Sequence, residues 1–114
     1  SENKGALLEN LVAVELKRRS KTIHYYTNKD RTKTDFVIQE NKEIVEAIQV
    51  CYDPTAPKTG EREEKTLLRT MGELKLKKGL ILTFEMEKEK KVEGKTIHYY
   101  PVWKWILEYP EDKR

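Results

Sequence analysis

The chain has 114 residues, of which 23 are basic and 20 acidic, with one cysteine and a net charge of +3. That length suits one domain spanning residues 1–114 with one core; the lone Cys51 excludes a disulfide framework, and no Cys/His cluster has zinc-ligand spacing. No apolar run approaches the ~20 residues of a membrane-crossing helix and no signal-peptide core opens the chain, so a cytoplasmic protein with no membrane partner is expected. A charged fraction of 38%, dominated by Lys and Glu, leans toward a thermophile.

The first predicted element is a helix with Asn3 as its N-cap and a broad apolar face of Leu7, Leu8, Leu11, Val12, Val14 and Leu16. Lys17, Arg18 and Arg19 suit its C-terminal end, where the helix dipole favours cations. Three strands follow: 22–27, ended by the Asn28-Lys29-Asp30 turn; 34–39, ended by Glu40-Asn41-Lys42; and 44–52. The third is the most apolar, which predicts a central place in the sheet. Asp53-Pro54-Thr55-Ala56-Pro57 breaks the pattern. A second helix is predicted over 61–76, with Leu67, Leu68, Met71 and Leu74 as its stripe and Gly79 as its stop. Residues 80–84 read as a buried strand, 86–95 as a charged loop, and 96–100 as a last strand. Pro101 then opens a short helix over 102–107, anchored by Trp103 and Trp105.

The hexapeptide KTIHYY occurs at 21–26 and again at 95–100. Two copies do not make a solenoid; they predict two strands with similar burial. The stretch from 44 to 84 is long enough for a right-handed parallel crossover. The expected fold class is therefore α/β, in the order α-β-β-β-α-β-β-α, with a mixed sheet flanked by helices.

Charge is unevenly spread. The balance is +4 over residues 1–34, −4 over 35–57, +3 over 58–79 and zero beyond. An acidic middle between basic flanks suits a metal site inside a phosphate-binding cleft, although a segment poor in lysine gives the same pattern. Strand alternation puts Asp35, Val37 and Gln39 on one face, and Ala47, Gln49 and Cys51 on one face of the next strand. An acid opposite a polar neighbour is how two-strand Mg²⁺ sites are built. The plainer alternative is that Asp35 ends a turn and Gln49 bonds a loop. Glu15 falls within the apolar arc of the first helix and needs a partner, expected to be Arg or Lys. Glu9, at the edge of that arc, can reach the mouth of a site. Arg62, Lys65 and Arg69 share a helix face by spacing, and make a phosphate-binding set for DNA. Cys51 as a nucleophile is disfavoured by its strand position, and His24 and His98 have no second His at ligand spacing. One tyrosine of each pair, Tyr25-Tyr26 and Tyr99-Tyr100, is expected in the core, leaving the other to stack on bases.

The runs Gly5-Ala6-Leu7-Leu8-Glu9-Asn10, Thr34-Asp35-Phe36-Val37-Ile38 and Glu46-Ala47-Ile48-Gln49-Val50-Cys51-Tyr52-Asp53, with Arg62-Glu63 and Pro101-Val102-Trp103-Lys104-Trp105, resemble a C-terminal domain of archaeal AAA/STAND-type ATPases. That family is grouped with the PD-(D/E)xK nucleases. The resemblance implies a restriction-endonuclease-like α-β-β-β-α-β core, followed here by a C-terminal strand and short helix, and a chain that is the C-terminal fragment of a longer ATPase. Residue by residue it matches Glu9 to the helix glutamate and Asp35 to the motif aspartate. Gln49 and Cys51 stand where an acid and a lysine belong, and Cys51 cannot supply an ammonium. Glu9, Asp35 and Gln49 become the candidate catalytic and Mg-binding residues, and Lys65 (or Arg69) a relocated lysine. No GxxxxGK[ST] loop is present, so ATP belongs only to an upstream ATPase domain of the same chain. Three functions follow as expectations: a catalytically impaired nuclease-like module that binds DNA or a partner, an active Mg-dependent DNA nuclease, or a protein-interaction domain.

Overall fold

The helical periodicity of the N-terminal segment ends where Ser20 takes a left-handed backbone, with Lys21 N–H returning to the Leu16 carbonyl at 3.0 Å. From there the β-branched and aromatic residues take over. The computed structural model describes residues 2–108 as α1 (Glu2–Arg18), β1 (Thr22–Thr27), β2 (Lys33–Glu40), β3 (Glu43–Val50), α2 (Thr59–Leu74), β4 (Lys78–Thr83), β5 (Lys88–Val92), β6 (Lys95–Pro101) and α3 (Val102–Glu108). The strands form one mixed sheet in the order β1-β2-β3-β4-β6-β5. β1, β2 and β3 are antiparallel neighbours, β3–β4 and β4–β6 pair in parallel, and β5 folds back on β6. The α/β class, the mixed sheet between helices and the central place of β3 agree with the sequence reading.

Helices cover both faces. Leu8, Val12 and Leu16 of α1, with Val102 and Trp105 of α3, pack on Phe36, Ile38, Ile48, Leu80 and Leu82. On the other side Leu67 and Met71 of α2 pack on Val37, Ala47, Ile81, Ile97 and Tyr99. β4 is buried along nearly its whole length, as a parallel strand covered on both faces must be. Gly79 lies in β4, not at a helix end. A Cβ there would meet Met71 Sδ at 2.5 Å and Leu67 Cδ2 at 3.0 Å, so its small size lets α2 sit close to the sheet.

Glu15 finds the arginine partners expected of it. It is buried and takes bonds from Arg18 (2.9 and 2.7 Å) and Arg19 (2.7 Å). The Arg18 bonds lead in holding its carboxyl down at about 2, against the opposing effect of burial and with help from Arg19. Arg19 also lies over the Trp105 ring, 4.6 Å from its centroid, and donates to the Trp105 carbonyl at 3.0 Å. The buried carboxylate thereby ties α1 to α3.

Several expectations are corrected. Asn3 lies inside α1 and is not its N-cap. α2 starts at Thr59 and ends at Leu74, because Lys75 takes the left-handed conformation and its neighbour's N–H bonds back to Met71. The expected loop over 86–95 is largely strand β5: Glu93 and Gly94 both have positive φ, the backbone a tight hairpin needs. Trp103 is exposed, so of the two tryptophans Trp105 alone anchors α3, beside Val102. The two KTIHYY copies do not share a burial pattern. β1 is an edge strand with Tyr25 68% exposed, whereas β6 lies inside the sheet with Tyr99 3% exposed.

Candidate functional site

Between Tyr26 and His24 the β1–β2 pairing slips by one residue, and Asp35 and Phe36 together stand opposite Tyr25. Strict alternation therefore fails here. Thr34 bonds Thr70 of α2 at 2.8 Å and Val37 sits in the α2 core, so both face α2 although they are three residues apart. Asp35, between them, does not simply share the face of Val37. The cause is the bulge, a device common beside functional sites because it re-aims a side chain.

The β2–β3 register ends at the Phe36–Ile48 pair, and beyond it two side chains bond across the strands. Asp35 Oδ2 accepts the Val50 N–H at 2.8 Å. Gln49 Oε1 accepts the Asp35 N–H at 3.2 Å, and Gln49 Nε2 donates to the Lys33 carbonyl at 3.3 Å. The same amide nitrogen donates to Glu63 of α2. Gln49 is thus a strut across the splayed strand ends, and its oxygen is already engaged.

This splayed end opens into a hollow of about 540 Å³. Glu9 and the small residues Gly5 and Ala6 of α1 form one wall; Arg62, Glu63 and Thr66 of α2 form another, with Lys33, Asp35 and Gln49 at the base. A second hollow shares Glu9, Lys33 and Asp35 with it and runs on to His24 and Tyr25. There the Lys33 ammonium lies 5.1 Å from the centroid of the exposed Tyr25 ring.

Burial leads in pushing the Asp35 carboxyl up to about 6. The Val50 N–H opposes it, the charges of Glu9 and Glu63 reinforce it, and Lys33 offsets part. Asp35 therefore changes charge near neutral pH, a property that concentrates at functional sites. Cys51 is buried, and desolvation pushes its thiol up to about 11, so it is a neutral group and no stand-in for lysine.

The structure brings Glu9, Asp35, Gln49 and Arg62 together on one hollow. Lys65 is exposed and does not line it. Arg69 lies two turns further along α2 and is engaged with Glu73 at 3.1 Å and Asp30 at 3.7 Å. Glu46 stands opposite Ile38 on the α1/α3 face, away from Asp35. Sequence reading singled out neither Glu63 nor Lys33 for this site. The signal for Glu63 was its helical spacing with Leu67 and Thr70, which turns it toward the sheet. Among the described residues, no group of three or more His, Cys, Asp or Glu side chains stands close enough to hold a metal ion. What the hollow offers is a proton held more tightly on Asp35 than on an ordinary carboxyl, the carboxylates of Glu9 and Glu63, and the cations of Lys33 and Arg62.

The class that fold and site define is an α/β domain with helices on both faces of a mixed sheet and acidic side chains gathered where two strands part. The chain belongs to the family described as Domain of unknown function (DUF4143), whose model matches residues 4–105. It is similar to Uncharacterized protein MJ1544 of Methanocaldococcus jannaschii, 37% identical over 119 aligned positions that cover 96% of this chain and 26% of the relative. The chain thus spans about a quarter of the length of the curated relative it matches. Among the described residues, no helix is long and apolar enough to cross a membrane.

Proposed function

We propose that this chain is a restriction-endonuclease-like module of a longer archaeal ATPase that binds DNA at the hollow between α1 and α2 and does not cut it. The observation that carries the reading is the meeting of Glu9, Asp35 and Gln49 at the parted ends of β2 and β3, with an amide in the acid position and a buried thiol in the lysine position. The order α1-β1-β2-β3-α2-β4 fits the core of that nuclease class. Cutting needs a held cation, an oriented water and charge stabilisation at the scissile phosphate. Gln49 brings no charge, and its oxygen already accepts the Asp35 N–H. Binding needs less: Lys33 and Arg62 to meet phosphates, and Tyr25 as a stacking surface.

Fluorescence anisotropy with labelled single- and double-stranded DNA, run beside a cleavage assay with Mg²⁺ and Mn²⁺, tests this. Expected is salt-sensitive binding without cleavage. Lys33→Ala with Arg62→Ala should lower affinity and flatten the salt slope by about 2, for two lost phosphate contacts. Binding that ignores both substitutions, or no binding at all, would favour a protein-interaction domain.

A second reading is favoured by Glu63, a helix carboxylate that touches Gln49 and adds the negative charge Gln49 lacks. On that reading the domain is an active Mg-dependent nuclease with its second acid moved to α2. Metal-dependent cleavage lost in both Asp35→Ala and Glu63→Gln would establish it over the first.

A further inference from the structure

Among the described residues, eight large apolar side chains stand in solvent, and six of them belong to α1, α3 or the adjoining end of β4. Leu7 (68% exposed), Leu11 and Val14 (66%) lie on α1, Trp103 (56%) and Leu107 (76%) on α3, and Phe84 just after β4. Single exposed apolar residues need no explanation. These are not scattered. Leu7, Leu11 and Val14 are spaced by four and three, so they form a second stripe along α1 beside the Leu8, Val12 and Leu16 stripe that packs on the sheet. A helix apolar over so wide an arc is one buried on two sides, and this fold uses only one.

The patch continues past α1. Lys4 of α1 lies over the Tyr52 ring, 5.5 Å from its centroid, and Tyr52 stacks on Phe84 at 4.8 Å. Thr83, next to Phe84, pairs with Pro101, which leads directly into α3 and Trp103. Trp103 and Leu107 are one helical turn apart and opposite the buried Trp105. Apolar side chains left uncovered on two helices that contact each other mark an interaction site. Along α1 the exposed charges beside it include the cations Lys4 and Lys17.

We infer that this α1/α3 face is the seat of another part of the same, longer polypeptide, one presenting an apolar surface with acidic flanks. The related protein from Methanocaldococcus jannaschii is matched over only 26% of its length, so three quarters of such a protein lies outside this domain. A partner in the same polypeptide is held at high effective concentration, and contacts between domains of one chain close with modest area. This inference concerns a different face from the hollow and stands or falls independently of DNA binding.

The test uses the full-length protein that carries this domain, with p-benzoylphenylalanine in place of Leu11 and, as a control, in place of Tyr25. Irradiation should cross-link position 11 within one chain to residues outside the 114 of this domain, and position 25 should give no such product. Cross-links only between two copies, protection by anionic phospholipid vesicles that bind this face, or no cross-link at all would each overturn the inference. A second measurement uses Leu7→Glu with Leu11→Glu in the full-length protein. Trypsin cleavage between this domain and the rest should quicken at least tenfold while amide protection in β3 and β4 is unchanged. An unchanged cleavage rate would also overturn it.

Discussion

Replacing Asp35 with Asn should stabilise the protein near neutral pH and have little effect near pH 4. The carboxyl ionises at about 6 in the folded protein, against an ordinary value of 3.8, because burial and the nearby Glu9 and Glu63 outweigh the Val50 N–H and Lys33. The folded state thus holds a proton that the unfolded chain releases. Stability from this group is fully present below pH 3.8 and is lost as pH rises through about 6. The difference of roughly 2 pH units, at 1.36 kcal/mol each, makes ionised Asp35 cost about 3 kcal/mol above pH 6. Asn carries no charge and keeps an oxygen for the Val50 N–H. Its amide hydrogens need partners, so the expected net gain is about 1–3 kcal/mol. Urea unfolding of both proteins at pH 4.0 and 7.5 measures it by linear extrapolation, and the difference between the two proteins removes other titrating groups. A gain of the same size at both pH values, or an Asn variant less stable at pH 7.5, would refute the reasoning. Confirmation would mean that the protein tolerates a costly charge at the hollow, as functional sites commonly do.

Four further outcomes are expected. Gly79→Ala should cost about 1–3 kcal/mol in chemical unfolding, because the new methyl enters the space held by Met71 Sδ and Leu67; no loss would mean that α2 is free to lift from the sheet. Trp105→Ala should cost about 3–5 kcal/mol, since the ring is fully buried and supports Arg19, whereas Trp103→Ala, on the same helix, should fall within ~0.5 kcal/mol of the parent. Cys51, buried and with its thiol pushed up to about 11, should resist iodoacetamide at pH 8 in the folded protein and react on unfolding; fast labelling of the native chain would contradict that burial. Gln49→Glu combined with Cys51→Lys should yield Mg²⁺-dependent DNA cleavage above the parent's level if the hollow has nuclease ancestry, provided circular dichroism confirms the fold; a folded variant that cuts no better would count against it.

Fold class was legible in the sequence because each element announces its own period. The stripe of Leu67, Leu68 and Met71 can only be a helix against a sheet, and the unbroken Leu80-Ile81-Leu82 run suits a strand covered on both sides. β5 was not legible. Lys88-Glu89-Lys90-Lys91 has no apolar face, and its strand state comes from pairing with β6 across the Glu93-Gly94 turn. Much of the candidate site was legible too: Glu9, Asp35 and Gln49 stood out by placement and by family resemblance, and Arg62 by its helical spacing. Glu63 and Lys33 did not, since nothing local distinguishes them from the many other Glu and Lys residues of the chain.

The repeated hexapeptide shows where local information stops. By itself Lys-Thr-Ile-His-Tyr-Tyr specifies a strand, and both copies form one. Burial is a property of neighbours, not of the hexapeptide. β1 pairs antiparallel at the sheet edge with Ile23 against the α1/α3 core, while β6 pairs parallel with β4 and turns Ile97 into the α2 core. The site obeys the same division. The residue types were given by the chain, but their convergence depends on a one-residue slip between β1 and β2 and on α2 docking with Glu63 inward. The slip is settled by strand pairing and the docking of α2 by packing against the sheet, where side-chain volume and register act and no local pattern reaches.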